Sequence, residues 1–158
     1  MAQAAEAVGL PRNLAGELAE RYGGLQPWPG VGETLAALAG VGLALGVVTN
    51  CSGQLGRIAA ARVGVDFAVL VAAERAGFYK PDPRPYQLGL AELGVEPSRC
   101  LFVAGSAYDL VGTAKVGLPT YWHDRVGMTS PEGAADPIAH ERTLGALLTV
   151  VDQAKPGK

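Results

Sequence analysis

The chain has 158 residues, 49% of them hydrophobic, which suits one domain with a buried core. Lys and Arg number 13 against 15 Asp and Glu, a formal net charge of −2 without a basic run, which excludes an electrostatic footprint for nucleic acid or an anionic membrane. No apolar run reaches the ~18 residues of a membrane span, and "MAQAAEAVGLPRN" lacks the basic start and apolar stretch of a signal peptide, so a cytoplasmic setting is expected.

In chain order, "NLAGELAERY" (13–22) carries Leu14, Leu18 and Tyr22 at helical spacing behind a candidate Asn13 cap. "GGLQPWPG" breaks it, and Val31 to Ala39 reads as a second helix. "LALGVV" (43–48) is short, continuous and apolar, as a buried strand is. Ser52 is placed to cap a helix over 53–63 that ends near Gly64, and "FAVLV" (67–71) reads as the next strand. "AGFYKPDPRPY" is a loop, Tyr86 to Leu93 a helix stopping at Gly94, "CLFVA" (100–104) a strand and Asp109 to Val116 a helix. "LPTYW" (118–122) is a further short strand, 124–139 a loop broken by Pro131, Gly133 and Pro137, and "HERTLGALLTVVDQ" (140–153) a last helix. The tail "AKPGK" (154–158) is expected to fray.

Strands alternating with helices at this spacing imply right-handed βαβ units, an α/β fold with a Rossmann-like parallel sheet flanked by helices. Cys51 follows one strand and Cys100 precedes another, at opposite ends of a parallel sheet and beyond the ~7 Å Cα limit for bridging, so both are expected to be reduced.

Ligands of open parallel sheets bind beyond the carboxyl ends of the strands, where the loops after 43–48, 67–71 and 100–104 converge. "VVTNCS" puts Thr49 and Asn50 between a strand and a helix N-terminus, where free N–H groups favour phosphate or carboxylate. The same residues also suit an ordinary turn in which Ser52 caps the helix and Asn50 satisfies backbone. Lys80, pinned by prolines in "YKPDPRPY", is either a fixed positive charge over the crevice or a solvated side chain. Asp109, in the first turn of its helix, is either a site acid or an acid compensating the helix dipole. His123 reads as a surface or loop histidine, and Tyr121–Trp122 as core.

Taken in order, strand–Thr49–Asn50, then Lys80–Pro81, then strand–"AGSAYD" resembles the second, third and fourth motifs of the haloacid dehalogenase superfamily of hydrolases. The resemblance runs from about Gln26 to Val151. It includes the "PWPGVGETLAAL" lead-in and the "GLPTYWHDR" strand, and "FYKPDPRPYQ" and "LFVAGSAYD" resemble the 2-haloacid dehalogenases more than the phosphatases. It implies that Thr49 and Asn50 hold the carboxylate or leaving group of a small anionic substrate, a 2-haloacid or a phosphate ester. It implies likewise that Lys80 neutralises an attacking carboxylate with Tyr86 beside it, and that Ser106 and Asp109 orient the ester carbonyl and the hydrolytic water. Ala104, Gly105 and Ser106 depart from the dehalogenase pattern, which carries serine, serine and asparagine there. Gly105 also stands where the phosphatases carry an acid for Mg²⁺. A lone aspartate is a poor site for that octahedral, oxygen-seeking ion, so no cofactor is expected, with Mg²⁺ as the alternative.

Members of this superfamily open with a strand whose terminal aspartate attacks the substrate to form a covalent ester. No aspartate here (66, 82, 109, 124, 136, 152) ends an N-terminal apolar strand, and residues 1–25 resemble the last part of a helical cap, followed by the core over 26–153 and the tail. The resemblance places the absent strand between those at 43–48 and 100–104. The expectation is a gap that the flanking strands close, that another chain fills by strand exchange or in a homodimer, or that marks a fragment. The chain alone is expected to be inactive, leaving phosphatase activity or a non-catalytic binding role as rivals.

Overall fold

The computed structural model describes residues 6–11 and 13–154. Four of the tail residues, 155–158, and the start of the presumed cap remnant therefore lie outside the described residues. Helix α1 spans Asn13–Tyr22 and α2 Val31–Gly40. Asn13 lies inside α1, donating to Glu17 at 3.0 Å, rather than capping it from outside. Strand β1 (Gly46–Thr49) leads through α3 (Gly53–Val63) to β2 (Val69–Ala72), which runs directly into the short helix α4 (Ala73–Ala76). Helix α5 (Pro83–Leu93), a 3-10 turn at Pro97–Arg99, β3 (Phe102–Ala104), α6 (Asp109–Ala114), β4 (Thr120–His123), β5 (Ala139–Glu141) and α7 (Leu147–Ala154) complete the order.

Local chemistry sets these bounds. Ser52 accepts from the Leu55 N–H at 3.3 Å to start α3, and Gly64 ends it in the left-handed region. Helix α5 begins at Pro83, three residues before the expected Tyr86, because Asp82 accepts from the Arg84 N–H and proline suits the first helical position. Helix α6 stops at Ala114 rather than 116, its last turn tightening into i→i+3 bonds from Val116 and Gly117. Strand positions shift along the chain because the partner decides them: the β1/β2 ladder opens with Ala68 N–H donating to the Leu45 carbonyl and pairs Gly46–Thr49 with Val69–Ala72. The expected helix at 140–153 is corrected in its first half. His140 belongs to β5, three residues that form a strand by pairing with Tyr121–His123 rather than through any propensity of their own.

All pairings are parallel, but they form two ladders, β1–β2 and β3–β4–β5. Helix α5 packs on both β1 and β2 and also against α6. Its Tyr86 ring meets Phe102 of β3 edge to face at 5.3 Å. Helix α5 therefore bridges the two sheets, in which β1 and β3 each keep one edge without a ladder partner. Gly89 lets α5 come down on β1: a Cβ there would stand 3.2 Å from Val48 Cγ2.

Burial is inverted relative to a continuous sheet. All of β4 and most of β2 are buried, whereas Gly46 and Val103, on the two inner strands, are exposed and the rest of β1 is half-buried. The flanking strands have not closed up. Their partial exposure spares the edge groups the cost of about 1–3 kcal/mol each that burial without a partner would carry. Around β4, Ala104, Ala107, Leu110 and Trp122 form the core toward α6, and Leu38, Tyr121 and Leu147 the core toward α2 and α7. His123 is buried too, packed edge to face on Trp28 at 5.4 Å, because its strand is covered on that side.

Candidate active site

The loops at the carboxyl ends of β1, β2–α4 and β3 bring three of the candidate residues into direct contact and tie a fourth to them. The Lys80 ammonium lies 3.1 Å from the Asp109 carboxylate. The Tyr86 hydroxyl donates to Asp109 Oδ1 at 2.6 Å. Burial, reinforced by that hydrogen bond, raises the Tyr86 pKa far above the ordinary phenol value, so the group remains a donor throughout the working range. Asn50 reaches this cluster through main chain: its Oδ1 accepts from the Lys80 N–H at 2.7 Å and its Nδ2 donates to the Lys80 carbonyl at 3.2 Å.

The other two candidates are turned to local tasks. Thr49 Oγ1 accepts from the Cys51 N–H at 3.2 Å, and Ser106 Oγ accepts from the Tyr108 N–H at 3.4 Å, bracing the loop before α6. The N-terminus of α3, a natural anion site, already holds an anion of this chain: Glu74 of α4 accepts from the Gly53 N–H at 2.8 Å. Three neighbours lay beyond sequence reasoning. The Lys80 ammonium stands 5.6 Å from the centre of the Phe102 ring, Gly112 of α6 makes room for Tyr86, and Glu74 caps α3 from 21 residues away. Phe102 and Gly112 carry no signal beyond strand and helix, and Glu74 lies on a helix too short to show a period.

Asp109 is an acid without acidic company. Among the described residues no group of three or more His, Cys, Asp or Glu side chains could hold a metal ion, and both Asp109 oxygens already face Lys80 or Tyr86. This donor set does not fit Mg²⁺, which favours six oxygens near 2.1 Å. A groove of about 470 Å³ lined by Leu38, Val41, Leu148 and Val151 draws on α2 and α7, apart from these loops. Cys51 and Cys100 are both free. No helix among the described residues is long and apolar enough to cross a membrane.

The model of a haloacid dehalogenase-like hydrolase family matches residues 2–117. The chain is 31% identical over 132 residues to (S)-2-haloacid dehalogenase 4A of Burkholderia cepacia, covering 82% of this chain and 57% of that protein. It is 34% identical over 137 residues to the N-acetylmuramic acid 6-phosphate phosphatase of Pseudomonas aeruginosa, covering 82% of this chain and 59% of the relative. In structure it resembles an L-2-haloacid dehalogenase with a TM-score of 0.81 at 27% identity, covering 95% of this chain and 68% of the other. The chain thus spans less than two thirds of the curated relatives it matches.

Proposed function

Because the chain belongs to the haloacid dehalogenase-like hydrolases, we propose that it carries one side of the active site of a metal-independent 2-haloacid dehalogenase, acting on a small anionic substrate. The observation that supports this best is the Lys80–Asp109–Tyr86 cluster, with Asn50 on Lys80, at the carboxyl ends of the strands. In this reading the Lys80 ammonium lowers the energy of the attacking carboxylate and of the negative charge that develops as halide leaves. Asp109, held between the Lys80 ammonium and the Tyr86 hydroxyl, works on the water that cleaves the ester, with Ser106 at the same loop. Thr49 and Asn50 line the side where the substrate carboxylate approaches.

The attacking aspartate itself is not supplied by the described residues. Asp66, Asp136 and Asp152 lie away from these loops, Asp82 is engaged by Arg84, and Asp124 accepts from the Gly127 and Met128 N–H groups. The reading therefore includes a further strand, seated between β1 and β3 and ending in aspartate beside Lys80. Assembly as a homodimer by strand exchange would act on the same open edges. Free Cys51 and Cys100 support a cytoplasmic setting for it.

The test is halide release from 2-chloropropionate by purified 1–158, with and without a synthetic apolar strand peptide ending in Asp. Release only with that peptide, and none with its Asn-ended counterpart, is expected. Release by the chain alone that disappears in Lys80→Ala would overturn the need for an external nucleophile. The resemblance to a phosphatase at 34% identity favours a second reading. Turnover of p-nitrophenyl phosphate that requires Mg²⁺ and stops with chelator would establish it in place of the first.

A further inference from the structure

Residues 77–82 carry Lys80 but bury nothing: Gly77, Phe78 and Tyr79 are exposed, and Lys80, Pro81 and Asp82 are half-buried. Apolar packing does not fix this loop. What meets the Lys80 main chain is the Asn50 side chain, which accepts from its N–H and donates to its carbonyl as a facing strand would. From there the lysine extends to Asp109. The path Asn50–Lys80–Asp109 runs from the end of β1 to the start of α6, joining two sheets that share no ladder.

We propose that Asn50 is a positioning residue for Lys80, holding the backbone so that the ammonium reaches Asp109. The pattern needs one acceptor and one donor on the same planar group. Asp keeps the acceptor but sets a carboxylate oxygen against the Lys80 carbonyl, and Ala or Ser cannot span both atoms. The second Nδ2 hydrogen remains available on an exposed side chain, so this task stands beside the role that the motif resemblance implies and does not replace it. The inference rests on the proposed function only in regarding Lys80 as the catalytic cation.

Its test needs no turnover. Amine-directed acetylation of the folded chain, read by peptide mass spectrometry, compares Lys80 with exposed Lys115. In Asn50→Ala and Asn50→Asp the Lys80:Lys115 rate ratio rises about tenfold, the scale expected for two lost hydrogen bonds. Lys115 normalises for the reagent, and Leu147→Ala, which loosens the core without touching Asn50 or Lys80, is expected to leave the ratio unchanged. In the unmodified chain the Lys80 amide proton exchanges at least about tenfold more slowly than in an unstructured peptide, which also serves where a variant fails to fold. An unchanged ratio in both variants, or a Lys80 amide exchanging at the unstructured rate, overturns the proposal. Either outcome is independent of whether the chain releases halide or phosphate.

Discussion

Tyr86 lies across Gly112, and its hydroxyl reaches Asp109 through the space where α6 has no side chain. A Cβ at residue 112 would stand 2.7 Å from both Cζ and the hydroxyl oxygen of Tyr86, a distance that real contacts do not show. Gly112→Ala must therefore push a fully buried ring off its partner, at a cost of about 1–3 kcal/mol. In a chain of this length each kcal/mol lowers Tm by about 2–4 °C, so thermal unfolding followed by circular dichroism reads it directly. An unchanged Tm would mean that Tyr86 has another place to go.

Lys80 and Asp109 should behave as a coupled pair rather than a surface contact. Their side chains are 18% and 6% exposed, so removing one partner strands the other in a poorly solvated place. A double-mutant cycle with Lys80→Met and Asp109→Asn is expected to show a coupling energy of about 1–3 kcal/mol, above the 0–1 typical of exposed pairs. Simple additivity in urea unfolding would place the pair in solvent.

Burial lowers the His123 pKa, helped by the nearby Arg125 charge and opposed by a hydrogen bond to the Arg142 main chain. The folded protein therefore binds this proton less readily than the unfolded chain. The stability linked to it is complete above the unfolded value near 6.5 and declines as pH falls from there through the lower folded value. Unfolding measured between pH 8 and 5 should show that decline, and His123→Gln should flatten it. Because Trp28 touches the ring, its fluorescence should follow the same titration.

Asp82 acts at the opposite end of the scale. Its hydrogen bonds to the Arg84 side chain and N–H pull its pKa down to about 2. The sign is that of a carboxylate favoured when ionised: its contribution is present above the unfolded value near 3.9 and lost as pH falls through about 2. Asp82→Asn should lose most of this acid dependence while keeping a cap for α5, and hydrogen exchange at Arg84 would report any fraying.

Much of the fold was legible because its signals are local. Apolar runs marked the strands, Ser52 and Gly64 bounded α3, and Tyr121–Trp122 were read correctly as core. The misses share one cause. Ala139–Glu141 are a strand only because β4 lies beside them, and the limits of β1 come from where β2 begins to pair. His123 looked like a loop residue because nothing near it in sequence announces Trp28. Motif order groups Lys80, Asp109 and Tyr86, and the three side chains are in contact. What order could not convey is how each polar group is spent. The local sequence suits a turn in which Ser52 caps and Asn50 satisfies backbone, but that the backbone in question belongs to Lys80 depends on a loop 30 residues further on.

Glu74 has a consequence for what may be called the charge economy of the crevice. The positive end of α3 is neutralised from within by its carboxylate. Under the proposed function, attraction of an incoming anion then falls to Lys80, whose ammonium is already engaged by Asp109. A ligand would be admitted by competition: it must outdo an internal carboxylate for that cation, not settle onto a waiting positive surface. Such a site discriminates by geometry more than by charge, and simple anions such as sulfate or chloride should be poor occupants even when abundant.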